Sequence, residues 1–478
     1  MITTITSHYV NGKFIPSHGQ EVFNLISPVD GSTVGQVTLG DEEDARAAIA
    51  AAKAAFRDYG RSSLDERADY LQLLHEAIAA RAEDHIEAMA IEYGAGRLRS
   101  EVTVARAARC FANVRGLLDE VPYIRAYGDV RVTRKPVGVS ALITPWNSDL
   151  LMLSQKIAPA LAAGCTVVAK PSELSALQTQ VLIECIDAAG LPPGLINVVN
   201  GRGEVVGQEL STNADVAKIS FTGSTAVGKT IMRNAADTMK RVTLELGGKA
   251  ATVMLPDADL DQTVRFALSA AFMNSGQACI AGSRLVVPAG RLDEVKRALL
   301  QAVPDIKVGN PREPGVVIGP MVTEKQYLRV QRYIRTGIEE GAQILVGGEG
   351  PPLGLEAGFF VRPTVFVGVT SDMTVAQEEI FGPVLAVLTY DTEAEAIAIA
   401  NDSTYGLLSY VVTNDAEHGR EVADQLETGG VFVNELFDFY EHPRAPIGGL
   451  KQSGFGREFG VEGITEFLET HSVFARRQ

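Results

Sequence analysis

The chain has 478 residues, 46% hydrophobic and 21% charged, a globular composition with room for about three folding units of roughly 100–200 residues each. A formal net charge of −16 lacks the basic footprint that phosphate backbones need, which excludes nucleic acid as a partner. Cys110, Cys165, Cys185 and Cys279 stand singly with no Cys-x-x-Cys spacing, which excludes a disulfide scaffold and a thiolate metal site and suits a reducing cytoplasm.

The opening MITTITSHYVNGKFIPS lacks the charged and apolar regions of a secretory signal. Within it, HYVNGKFI reads as a strand pair turning at Asn11-Gly12. Acidic residues from Asp41 open an alanine-rich helix to about Tyr59, where they suit the positive helix end. Two more helices are expected over 63–93, with a break, and over 98–118; an exposed alternating strand follows at 129–136. From Gly138 the period changes. VSALITP, TVVAKP, INVVN, AKISFTG and VTLELGG read as short buried strands, the first four separated by helical segments such as 150–163 and 176–189. Strand alternating with helix predicts a doubly wound parallel sheet. The most apolar stretch, LMLSQKIAPALAAGCTVVAK, is interrupted by Lys156, Pro159 and Gly164, so no membrane span is expected. After about Ala250 a second α/β lobe begins, with strands RLVVPAG, PVLAVLTY, LSYVVTN and GGVFVN and helices near 259–274 and 393–400. The seam between the lobes falls at 247–249, and the turn-rich segment 347–358 is a loop.

Four local patterns carry chemistry. GSTAVGKT at 223–230 fits the phosphate-loop pattern G-x-x-x-x-G-K-[ST] between a strand and a helix, and alone it favours an NTPase with Asp257 as a magnesium-holding strand end. A glycine turn at a helix N-terminus also suits the pyrophosphate of a dinucleotide, and Gly201-Arg202-Gly203 with Gly207 supplies a second such turn, so neither ligand is settled there. Glu245 ends a buried strand, where a carboxylate carries a desolvation cost, and GQAC at 276–279 holds a thiol in a turn near the seam. Together they make a nucleophile–base pair suited to forming and hydrolysing an acyl intermediate. Asn147 in TPWN follows a strand as an oxyanion donor or an ordinary turn residue.

With these residues the chain resembles the aldehyde dehydrogenase superfamily over nearly its whole length: PWN at 145–147, KPSE at 170–173, FTGS at 221–224, ELGGK at 245–249, GQAC at 276–279, EEIFGP at 378–383 and PIGGLKQSG from Pro446. The resemblance explains the phosphate-loop match as the family's FTGS turn continuing into Lys-Thr. It implies an α/β fold of two doubly wound lobes, a Rossmann-like cofactor domain (1–117 and 137–247) and a catalytic domain (248–446). A return segment (447–462) and a small β oligomerisation arm (118–136 and 463–478) complete it, in a homodimer or homotetramer.

The resemblance also implies roles. Cys279 attacks an aldehyde, Asn147 and the Cys279 backbone N–H hold the oxyanion, and Glu245 activates water against the thioester. NAD, preferred over NADP, is the implied cofactor. Lys170 and Glu173 bind its adenine ribose, the turn of Gly223 and Ser224 meets its pyrophosphate, and Glu379 with Phe381 holds its nicotinamide ribose. Ile143, Thr144, Pro145, Trp146, Ser172, Gly203, Gly207, Phe221, Thr222, Val227, Leu246 and Gly247 complete the implied cofactor site. Lys156 and Glu458 match a lysine and a glutamate near the family's active site, either a proton path or a surface ion pair. Glu245 disfavours a CoA-acylating variant, because a hydrolytic base competes with a thiol acceptor; with Cys279 and Asn147 it also disfavours a non-catalytic relative.

Departures fall on the substrate side. Ser148-Asp149 replace the family's common Phe-Pro, Gln155 stands at a common tryptophan, and Ile447 at a common phenylalanine. ELFDFYEHPRA after Asn434 adds Phe437, Phe439 and Tyr440 where the family's aldehyde entrance lies. With Ile280 beside the nucleophile, these residues predict an entrance with flat apolar walls on one side and a wider, polar side opposite, suited to an aromatic or branched medium-sized aldehyde.

Overall fold

The computed structural model describes residues 3–436 and 441–475. Asn11 and Gly12 take the left-handed backbone a two-residue hairpin requires, with φ of 54° and 72°, and Ser7–Val10 pairs with Lys13–Pro16 as expected. Asp41 caps the helix Glu42–Tyr59 in a reciprocal box with Asp44. The break expected within 63–93 falls at Arg81, between Leu64–Ala80 and Ala82–Glu92.

That hairpin extends the first large sheet, of eight strands. Its five central strands, Arg241–Glu245, Val216–Thr222, Val139–Ile143, Thr166–Lys170 and Ile196–Val198 in spatial order, are all parallel. The order reverses between Val139–Ile143 and Val216–Thr222, so their carboxyl ends open a crevice at the switch point of a doubly wound sheet. Both strands are buried along almost their whole length because helices cover the two faces.

A second sheet of seven strands runs Gln343–Val346, Thr364–Val367, Val384–Tyr390, Arg284–Pro288, Ala251–Met254, Leu408–Val412 and Gly430–Val433. Only the first of these is antiparallel to its neighbour. Arg284 fastens this sheet internally: its buried guanidinium donates to the carbonyl oxygens of Lys249, Ile399 and Ala400 at 3.0, 2.9 and 2.8 Å. The chain passes from Glu245, at the carboxyl end of the first sheet, to Ala251, at the amino end of the second, in six residues.

The strand expected at 129–136 is Val130–Pro136, the centre of a three-stranded sheet between Ile124–Tyr127 and Leu468–Phe474. It presents Ile124, Tyr127 and Phe474 to solvent. A further small sheet joins Thr3–Ile5, Thr33–Leu39 and Glu21–Ile26. Among the described residues no helix is long and apolar enough to cross a membrane.

Candidate active site

Glycines set the site where the two sheets meet. A Cβ on Gly248 would lie 2.1 Å from the Cys279 carbonyl oxygen, so only glycine lets the ELGGK turn pass against the cysteine loop. A Cβ on Gly276 would lie 2.1 Å from the Gly382 carbonyl, which brings EEIFGP against the same loop. Ser453 ties in the PIGGLKQSG stretch: its hydroxyl donates to Gly247 O at 2.6 Å, and its carbonyl accepts from Leu246 N at 3.0 Å.

The expected helix over 259–274 ends earlier, at Phe272, because Asn274 and Ser275 turn left-handed (φ 51° and 59°) ahead of Gly276 (φ 73°). Side-chain-bearing residues seldom hold this backbone, and they concentrate where a loop is over-determined by its surroundings. Here the surroundings are specific. Asn274 Nδ2 donates to Asn147 O and Gln277 O at 3.2 and 3.0 Å, and Tyr93 Oη donates to Asn274 Oδ1 at 3.3 Å. Gln277 in turn donates to Pro320 O and accepts from Val322 N. Asn147 Nδ2 donates to Gln277 O at 2.9 Å, which holds the amide beside the cysteine loop with its second N–H to spare. Sequence reasoning missed Asn274; its only signal was an Asn two residues before Gly276 in a helix-ending stretch.

Cys279 is partly accessible, whereas Cys110, Cys165 and Cys185 are buried. Burial of its sulfur, followed by the charges of Glu379 and Glu245, pushes the thiol up to about 12. Glu245 is buried, and its Oε1 has no hydrogen-bond partner among the described residues. Desolvation and then the Glu458 charge raise its carboxyl well above the ordinary 4.5, against a lowering pull from Lys156. Lys156 and Glu458 form a buried ion pair, and Lys156 Nζ also donates to Ser220 Oγ at 3.0 Å. The surface-pair reading is therefore wrong: Ile447 and Glu458 exchange backbone hydrogen bonds, which folds the return segment inward over Glu245.

At the switch point lies a cleft of about 490 Å³. Ile143, Thr144, Pro145, Lys170, Ser172 and Glu173 line it from one side, and Gly203, Gly207, Phe221, Thr222, Gly223 and Val227 from the other. Lys170 Nζ is held at the cleft by Pro171 O and Gly201 O, at 2.6 and 2.8 Å. The remaining expected groups stand outside this cleft. Ser224 caps the helix Thr225–Ala236, and Leu246 is bound to Ser453. Glu379 Oε1 accepts from Gly248 N at 3.0 Å, and a Cβ on Gly247 would meet its other oxygen. Trp146 meets Tyr93 and Phe381 edge-on at 6.0 and 5.8 Å, with Phe381 in the left-handed region at φ 62°. Thr230, Ile231 and Asn234 were missed on the cleft wall. Their helical spacing from Val227 puts all four on one face, a signal the phosphate-loop match obscured.

The structure removes that match's chemical meaning. The helix begins at Thr225, so Ala226–Lys229 are already helical and form no loop around a phosphate. Lys229 Nζ donates instead to Gln452 Oε1 at 2.9 Å. Asp257 accepts from Thr413 Oγ1 and from the Asn414 and Asp415 backbone N–H groups, as a loop brace and not as the end of an open metal site.

Residues 14–473 match the model of the aldehyde dehydrogenase family. The chain belongs to that family. It is 42% identical to a 3-succinoylsemialdehyde-pyridine dehydrogenase of a Pseudomonas species, over 97% of each chain. It is similar to a Pseudomonas syringae aldehyde dehydrogenase C, solved as a cysteine-to-alanine mutant with NAD+ and octanal: TM-score 0.96, 42% identity, covering 98% of this chain and 96% of that one. A Mycobacterium tuberculosis aldehyde dehydrogenase complexed with NAD+ gives TM-score 0.96 at 40% identity, covering 100% and 99%.

Among the residues expected on the substrate side, Ile280 and Ile447 pack with Cys279 and Phe459 against the core of the second lobe. Gln155 lines a small cavity with Cys110, Asn113, Val114 and Phe459. Ser148, expected on the polar entrance wall, is instead 1% exposed. Its hydroxyl donates to Asn147 O and accepts from Arg99 at 3.3 Å, so it is committed inside the fold. Phe439, with Phe437 and Tyr440, lies outside the described residues.

Proposed function

We propose that this aldehyde dehydrogenase oxidises an aldehyde to a carboxylic acid with NAD, through a thioester on Cys279 that Glu245 helps hydrolyse. The observation that carries this reading is the contact of the one partly accessible cysteine with the turn after a buried carboxylate whose Oε1 has no hydrogen-bond partner among the described residues. Aldehyde-dependent formation of NADH absorbance tests it across a panel of aldehydes; no oxidation of any of them would overturn it.

The cleft fits a dinucleotide. Gly203 borders it with no atom within 4 Å of where a Cβ would sit, Lys170 is a buried cation at its rim, and a capped helix N-terminus opens onto it. Lys170 and Glu173 would hold the adenine ribose, Glu379 and Phe381 the nicotinamide ribose. When bound, the dinucleotide supplies the acceptor for the hydride that leaves the tetrahedral carbon. Glu173 repels a 2′-phosphate, so kcat/KM with NAD exceeds that with NADP; an equal or larger value with NADP would contradict this assignment.

The chain's own groups do the rest. The Cys279 sulfur adds to the aldehyde carbon as its proton passes to water, and the resulting oxyanion accepts from the second Asn147 N–H and from the Cys279 backbone N–H. After oxidation, Glu245 removes a proton from water as the water oxygen adds to the thioester carbonyl. Collapse breaks the carbon–sulfur bond, returning the thiol and releasing the acid. A carboxylate raised by burial is a stronger base for this step than an exposed one. Apolar Ile280 and Ile447, packed with Cys279 against the core of the second lobe, support an aromatic or branched medium-sized aldehyde, which the same panel ranks. The solvent-facing three-stranded sheet supports a homodimer or homotetramer; a light-scattering mass near the 51.0 kDa of one chain would contradict it.

The buried ion pair gives a pH test. Glu245 must be ionised to act as base, so hydrolysis falls as pH drops through its raised pKa. Lys156 lowers that value and Glu458 raises it. Lys156→Met is therefore expected to move the acid limb of the hydrolysis rate to higher pH, and Glu458→Gln to lower pH, each by about one unit. Shifts in the same direction would mean that the pair acts only through packing.

A further inference from the structure

The ribose end of the cleft carries a charge relay that the catalytic reading does not use. Glu173 Oε1 lies 3.7 Å from Nη1 of Arg202. Arg202 immediately precedes the Gly203–Gly207 turn, which lines the same cleft. Its other nitrogens face away: Nε and Nη2 both donate to Glu21 Oε1, at 3.0 and 2.6 Å. Glu21 opens the strand Glu21–Ile26, and strand alternation puts Phe23 on the same face, with its ring 5.2 Å below the guanidinium carbon. Ion pair and ring together fix the direction in which the arginine points.

We infer that Glu21, 181 positions from Arg202 in sequence, is a specificity-determining positioning residue: it occupies two N–H-bearing nitrogens of the Arg202 guanidinium beside the ribose pocket and so keeps NADP out. This rests on the assignment of Glu173 to the adenine ribose. Glu204, on the cleft lining, adds its charge to those of Glu21 and Glu173 around this guanidinium. Removing Glu21 takes one of these negative charges away, and the two guanidinium nitrogens that donated to it become available to a phosphate. Glu173 by itself would then no longer decide the cofactor.

The test compares adenosine 2′,5′-bisphosphate with AMP by titration calorimetry, so that binding is read without turnover. Relative to AMP, the bisphosphate is expected to bind Glu21→Ala about fivefold tighter than wild type, the scale of an exposed charge pair. Adding Arg202→Ala should remove the gain. An unchanged preference in Glu21→Ala would overturn the inference. So would a gain that survives Arg202→Ala, because Glu21 would then act by its own charge and not through the arginine. Glu173→Ser separates the two levels of the argument. If it alters the preference while Glu21→Ala does not, the relay alone fails; if it alters neither ligand, the ribose assignment fails as well.

Discussion

Cys279→Ala is expected to lower steady turnover by about 10⁴-fold or more, as removal of a nucleophile does in covalent catalysis, while NAD binding stays within about twofold of wild type. The two readouts separate because the sulfur sits beyond the cleft that would hold the dinucleotide. Binding can be followed by the fluorescence of Trp146, the chain's one tryptophan, which meets Phe381, the residue proposed for the nicotinamide ribose. Residual turnover within about tenfold of wild type would remove the covalent step. Changing Cys110, Cys165 or Cys185 should affect stability at most, since all three are buried away from the seam's accessible thiol.

Glu245→Gln is expected to separate the two halves of the reaction. The amide preserves shape but takes no proton, so oxidation should occur once and hydrolysis should stall. Rapid mixing should show an NADH burst near one per active site and then a very slow steady rate. Burial sharpens the competing possibility, because a thiol pushed up to about 12 needs help to lose its proton. If taking that proton is the main duty of Glu245, the burst itself slows in the mutant and recovers as pH rises. A mutant with normal steady turnover would exclude Glu245 from the mechanism.

ELGGK, GQAC and EEIFGP were legible because they pack through glycines that leave no room for a side chain. Gly248 against Cys279 and Gly276 against Gly382 bring ELGGK, GQAC and EEIFGP together, and short motifs survive in sequence where contacts are this close. The buried parallel strands of the first lobe were legible as apolar runs between helices. Ala251–Met254 and Thr364–Val367 were not, because four buried residues show neither alternation nor helical period. Pairings across long sequence distances were also hidden. Lys156 and Glu458 are 302 positions apart, so whether they met in the interior or at the surface depended on how the return segment folds. Ser148 reads as an open polar residue in sequence; only the packing of Arg99 from another helix shows that it is already bonded.

In the proposed mechanism the acyl group passes through Cys279 and waits there for Glu245. Peptide mass mapping of Glu245→Gln, quenched in acid after one turnover with NAD and an aldehyde substrate, tests this step. Close to one acyl group per chain is expected, carried on the peptide containing Cys279, labile to hydroxylamine and absent from Cys279→Ala. NADH release with no acyl group on that peptide, or with the acyl group on a different residue, would contradict it.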